Sequence, residues 1–222
     1  MKGLRTIIVI EVQIILILLA YLVWKTIELE EKVRRTNIFV HEAIRDTRFE
    51  ELNQINEMDI LLGDANASGT IIMYTKVDCA FCTGFFRETF PGIDSAYLKT
   101  GKIKFIIRYL PEHHDSSSLD MIRYAYCLNE QGIFGEYQRR LNAEEIDRPG
   151  LLFAKDLLKA NAKDTSQLAG CLKSQRLDSY LTGSAITARQ AGVNVTPFFI
   201  INGKVLRGDR KFSKFKELID QG

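Results

Sequence analysis

The chain has 222 residues, a formal net charge of +2, 46% apolar side chains and 26% charged ones. That is room for one ordinary folded domain with an appendage, and too long for a disulfide-stapled miniprotein. The near-balanced charge, with no basic stripe, argues against a dedicated nucleic-acid binder, and there is no short repeat or low-complexity tract.

Lys2 and Arg5 precede the apolar run Ile7–Trp24, which Glu11 and Gln13 interrupt in its first third. As a helix this roughly 18-residue run rises about 27 Å, close to one hydrocarbon core. Tyr21 and Trp24 stand at its far end, where aromatic belts occur. Residues 1–24 are therefore expected to form a membrane anchor. A cleaved signal peptide is the competing reading, and Leu18-Leu19-Ala20 matches its cleavage site poorly. Positive charge does not fix orientation, because Lys25, Lys32, Arg34 and Arg35 are interleaved with Glu28, Glu30 and Glu31. Lys25 to about Glu57 lacks Gly and Pro and predicts a helix. Its sparse apolar stripe, Ile27, Val33, Val40, Ile44, Leu52 and Ile55, fits a stalk over 25–60 or a homo-oligomerisation helix. Leu61–Gly69 is rich in turn residues and reads as a linker.

Thr70–Val77 predicts a buried strand, which runs into Cys79-Ala80-Phe81-Cys82 and a helix from Ala80 to about Phe90, kinked or ended by Pro91. Two cysteines at this spacing on a strand-to-helix junction point to a redox dithiol. The unpaired N–H groups of a helix start stabilise a thiolate at the first cysteine. Half of a zinc site has the same spacing. A second strand is expected over Lys102–Leu110. Helices are expected over Ser116–Gln131, Phe134–Asn142, Pro149–Asn161, Thr165–Ser174 and Asp178–Gln190. Phe198–Ile201 and Lys204–Leu206 flank Asn202-Gly203, a strong hairpin signal. Phe212–Asp220 reads as a closing helix. This order defines an α/β domain over 61–222 with a helical insertion at about 112–190. Cys127 and Cys171 fall in helical stretches. They could be bridged, be two buried thiols, or join the first pair in a four-cysteine zinc site. His113 and His114 read as loop residues, and His41 has no assigned role.

Together Gly63-Asp64-Ala65-Asn66-Ala67, Cys79-x-x-Cys82, Tyr109-Leu110-Pro111-Glu112-His113-His114, Gly192-Val193-Asn194-Val195-Thr196-Pro197 and Ile201-Asn202-Gly203-Lys204-Val205-Leu206-Arg207-Gly208 resemble the DsbA-like thiol–disulfide oxidoreductases. The resemblance covers about residues 60–222. It implies a thioredoxin fold with an inserted helical domain. It also implies a cis Pro197 that faces the dithiol with Thr196 and holds client backbone. A Cys127–Cys171 staple in the helical domain is a further implication. The departures are Ala80-Phe81 between the cysteines, without a histidine, and Met73 where relatives often bury a carboxylate.

The expected activity is a membrane-anchored thiol–disulfide oxidoreductase at the bacterial inner membrane, single-pass, with its catalytic domain periplasmic. Cys79 is the expected nucleophile and Cys82 the resolving cysteine. No metal or organic cofactor is required. Its partners would be cysteine-bearing client proteins and a membrane redox partner, DsbB-like for an oxidase or DsbD-like for a reductase or isomerase. The oxidase direction is favoured on resemblance. The rival readings are a non-catalytic membrane-tethered chaperone and a metallochaperone.

Overall fold

A computed structural model describes residues 2–111, 116–136, 138 and 165–221. The chain divides into two units, residues 1–47 and 48–222.

Helix α1 (Lys2–Asn53) is continuous for 52 residues, as its lack of interior Pro and its single Gly near the start permit. Its last residues, from Arg48, belong to the second unit. Every described side chain from Gln13 to Val40 is exposed. Apolar ones are included, with Ile14 at 51% and Ile17 at 68%. The side chains of residues 1–10 and 12 lie outside the described set. Among the described residues no helix is long and apolar enough to cross a membrane. The structure therefore does not support the expected membrane-spanning helix at 7–24.

The second unit is built on a five-stranded mixed sheet in the order β1-β3-β2-β4-β5. The strands are β1 (Ile60–Gly63), β2 (Gly69–Thr75), β3 (Ile103–Tyr109), β4 (Phe198–Ile201) and β5 (Lys204–Arg207). β2 and β3 are parallel and the other pairs antiparallel. Central β2 is buried on both faces, as its unbroken apolar run Ile71-Ile72-Met73-Tyr74 requires. Ile71 and Met73 enter one core with Phe85, Phe105, Phe199 and Phe215, while Ile72 and Tyr74 enter the other with Leu52, Ile106 and Ala188. Asn202 and Gly203 carry positive φ, 47° and 80°, as a tight hairpin turn requires. The Asn202 side chain also accepts from the Thr70 N–H at 2.8 Å, stitching the turn to β2.

Two sequence expectations are corrected here. The linker expected from Leu61 begins as strand β1, which pairs with β3. Its apolar part is too short beside the turn residues that follow to give a periodic signal. The helix after the dithiol also runs beyond Pro91. It comprises α2 (Ala80–Gly84), a π turn (Phe85–Thr89), α3 (Phe90–Ile93) and a second π turn (Asp94–Leu98). Pro91 sits in the first turn of α3, where its missing N–H is tolerated.

In the helical insertion, α4 (Ser116–Glu130), α5 (Thr165–Leu172) and α6 (Gln175–Gln190) are described; α7 (Phe212–Asp220) closes the chain. The helix expected over 149–161 lies outside the described residues, as do His113 and His114. Cys127 of α4 and Cys171 of α5 form a disulfide with Cα atoms 5.8 Å apart. Its ends are 44 residues apart. Replacing both cysteines by alanine is expected to cost about 4 kcal/mol on the chain-entropy account. Urea unfolding of the double variant checks this, and an unchanged midpoint would contradict it.

Candidate active site

The site lies where β2 leaves the sheet. After Thr75, the short link Lys76-Val77-Asp78 delivers Cys79 in an extended conformation (φ −113°, ψ 95°) as the N-cap of α2. Its Sγ accepts the backbone N–H of Cys82 at 3.1 Å. Its carbonyl accepts the N–H groups of Cys82 and Thr83 at 2.9 and 3.0 Å. A sulfur thus occupies the capping position usually held by a serine or aspartate oxygen. No acidic residue stands in the first turn of α2 to oppose a thiolate there.

Cys79 and Cys82 form a disulfide with Cα atoms 5.1 Å apart. Cys79 retains 8% exposure and Cys82 3%. Behind them Phe85 anchors the helix, its ring 4.7 Å from Phe199, 5.4 Å from Phe215 and 6.0 Å from Phe105. This aromatic cluster packs the dithiol helix onto β3, β4 and α7. Phe81 is different: it is 71% exposed.

The register Tyr74↔Phe198 brings the start of β4 to the sheet end where β2 runs out toward Cys79. Thr196–Pro197, immediately before β4, is a cis peptide. The Pro197 carbonyl accepts from Gly208 N–H at 2.8 Å and so continues the β4–β5 ladder. Among the described residues, the backbones of Val195 and Thr196 have no hydrogen-bond partner. The fold therefore brings Cys79, Cys82, Thr196 and Pro197 to one end of the sheet. Cys127 and Cys171 form a separate pair in the insertion, so the four cysteines do not make one ligand set.

Asp209, on the loop after β5, went unnoticed in the sequence. Its Oδ2 lies 3.6 Å from where a Cβ on Gly84 would sit, an ordinary contact distance that places the carboxylate beside the dithiol helix. Its Oδ1 is buried without a partner among the described residues. Burial pushes its carboxyl above the usual range, and the nearby Glu88 adds to the shift. The contact joins residues 125 positions apart by number, and no local pattern could have announced it.

A second polar centre lies on the other sheet face. Arg108 of β3 is 5% exposed, and all five of its N–H groups have acceptors. Two go to Asp59 at 2.8 and 2.7 Å, and the others go to the Leu52 and Gln54 carbonyls and the Tyr74 hydroxyl. Asp59 also accepts from Tyr180 of α6 at 2.5 Å and from the Asn56 N–H at 2.8 Å. A cavity of about 420 Å³ opens beside Arg108 between residues 51–56 and α6, and shares no lining residue with the dithiol.

Residues 55–221 match the family described as Thioredoxin, and the chain belongs to that family. By fold and dithiol it is a DsbA-like thiol–disulfide oxidoreductase. It is 22% identical over 167 residues to disulfide bond formation protein D of Bacillus subtilis, covering 72% of this chain and 75% of that one. It spans 57% of a Rickettsia typhi relative with which it shares 22% identity over 160 residues. Among solved structures, alpha-DsbA1 from Wolbachia pipientis superposes with a TM-score of 0.63 at 21% identity, over 77% of this chain and 94% of that one. Oxidised BdbD from Bacillus subtilis gives 0.63 at 18% identity, over 74% and 92%.

Proposed function

We propose that the chain is a membrane-tethered oxidase that transfers its Cys79–Cys82 disulfide to client proteins outside the cytoplasm. The observation that carries this reading is the Cys82 N–H directed at Cys79 Sγ at the start of α2. That donor and the helix N-terminus stabilise negative charge on Cys79 when it is the leaving or attacking sulfur. A client thiolate attacks Cys79 Sγ. The Cys79–Cys82 bond breaks, and Cys82 departs as a thiolate that takes up a proton. A second client thiolate then attacks the client sulfur of the mixed disulfide and releases Cys79. The client loses two electrons and two protons, and the protein gains a dithiol. The unpaired Val195 and Thr196 backbone supports client binding as an added strand.

Stabilising the reduced thiolate makes the disulfide more oxidising, by roughly 30 mV for each pKa unit. Alkylation of Cys79 in the reduced protein is therefore expected to stay fast at pH values where an ordinary cysteine, with a pKa near 8.5, has become slow. A rate profile matching a free cysteine would contradict the proposal. The direction is tested by equilibration with glutathione and by insulin reduction. A potential far below the oxidase range with fast insulin reduction would replace a DsbB-like, quinone-linked recycling partner with a DsbD-like electron donor.

Tethering rests on the run Ile7–Trp24 in the full sequence and on the exposed apolar side chains from Ile14. In this reading residues 1–24 hold the bacterial inner membrane, the rest of α1 is a stalk, and the domain faces the periplasm. Carbonate extraction with protease accessibility on spheroplasts tests it; release of the full chain by carbonate would remove the anchor.

A further inference from the structure

Phe81 has no evident duty in the fold. It is 71% exposed, whereas Phe85, Phe86 and Phe90, next along the same helix, are all at 8% or less. Among the described residues it makes no ring contact. Its place in the first turn of α2 demands no aromatic side chain, since helix propensity there favours other residues. A single exposed phenylalanine is ordinary on a protein surface. The position of this one is not. It lies between the two bonded cysteines in the chain, in the first turn of the dithiol helix, where Cys79 itself keeps only 8% exposure. A client cysteine must approach closely to reach Cys79, and the residues flanking that cysteine then meet the Phe81 ring. Val195, 44% exposed, adds an apolar side chain on the loop at the same sheet end, beside the unpaired backbone.

Building on the thiol–disulfide exchange proposed above, we infer that Phe81 selects clients: the preferred substrate is an extended segment with an apolar side chain next to its reacting cysteine. Covering the ring removes apolar surface from water on both partners. The backbone of Val195 and Thr196 supplies hydrogen bonds common to every sequence. The ring therefore discriminates among clients rather than drives the chemistry.

The test uses the oxidised full-length chain in detergent and two dithiol peptides, identical except for leucine or serine beside the first cysteine. Each peptide is oxidised to its disulfide while the protein takes up the two electrons and two protons. The second-order rates are compared as a ratio, which cancels any change in the protein's reduction potential. The leucine peptide is expected to react roughly tenfold faster, the ratio corresponding to about 1.4 kcal/mol of apolar burial. In Phe81→Ser the ratio falls to near unity, and Phe81→Leu restores a large part of it. Equal rates for both peptides on the wild-type chain would overturn the inference and leave the exchange reading intact. So would a ratio that persists in Phe81→Ser. Failure of both peptides to react would overturn the exchange reading, and client selection with it.

Discussion

Serine at position 79 is expected to lower the rate of disulfide transfer by about three orders of magnitude or more, roughly 4 kcal/mol of transition-state stabilisation. The reaction requires a sulfur that can be attacked and can leave as a thiolate, and a hydroxyl does neither at neutral pH. The partner variant, Cys82→Ser, cannot form the Cys79–Cys82 disulfide, but its Cys79 thiolate can still attack a client disulfide, expelling one client sulfur as a thiolate, and the thiol that would reverse the resulting mixed disulfide from the protein side is gone. It is expected to accumulate covalent client complexes, visible as reducible high-mass bands. A broad set of clients supports an enzyme. One partner, bound equally well without Cys79, would instead support a tethered binding module. Cys79 capping its own helix adds a detail: serine is a good N-cap, so Cys79→Ser should lose activity without losing the fold.

The second large effect is on stability. Replacing Arg108 by methionine is expected to cost about 3–5 kcal/mol, because the Asp59 carboxylate is left buried without its counter-charge. The Leu52 and Gln54 carbonyls and the Tyr74 hydroxyl lose their donor at the same time. Adding Asp59→Leu removes the stranded charge and should recover part of the loss, though not the carbonyl bonds. If the single and double variants unfold at the same urea concentration, the charge imbalance is not the cause. Burial pushes the surrounding phenols of Tyr74, Tyr126 and Tyr180 upward. In the unfolded chain they ionise near pH 10. The unfolded state therefore loses protons first, and stability falls as the pH rises above about 10.

Much of this arrangement was legible in the sequence because its signals are local. Cys79-x-x-Cys82 on a strand-to-helix junction, Asn202-Gly203 between apolar runs and the apolar β2 run each declare themselves within a few residues. The Val195-Thr196-Pro197 stretch was found only through its resemblance to a family. What escaped depends on partners far apart in the chain. Strand β1 owes its existence to β3, not to its own four residues. Arg108 is a single charge in an apolar strand, and its acceptors come from residues 52, 54, 59 and 74, none of them its neighbours in the chain. Asp209 reaches the dithiol helix only through the fold, beside Gly84 of a distant segment. At the amino terminus the difficulty is of another kind: the sequence from Ile7 is apolar enough to suggest a bilayer, yet among the described residues no helix is long and apolar enough to cross one.

Asp59 brings together segments that the chain itself keeps apart, with Arg108 49 positions away on the sheet and Tyr180 121 positions away in the insertion. The sheet supplies two donors through Arg108 and the insertion one through Tyr180, so the carboxylate's full set is assembled only when both are in place. Such long-range closures are entropically costly until both sides are in place. The insertion and the sheet should therefore open as a single cooperative foldon, with amide protons of β3 and α6 exchanging at one common free energy rather than in two stages.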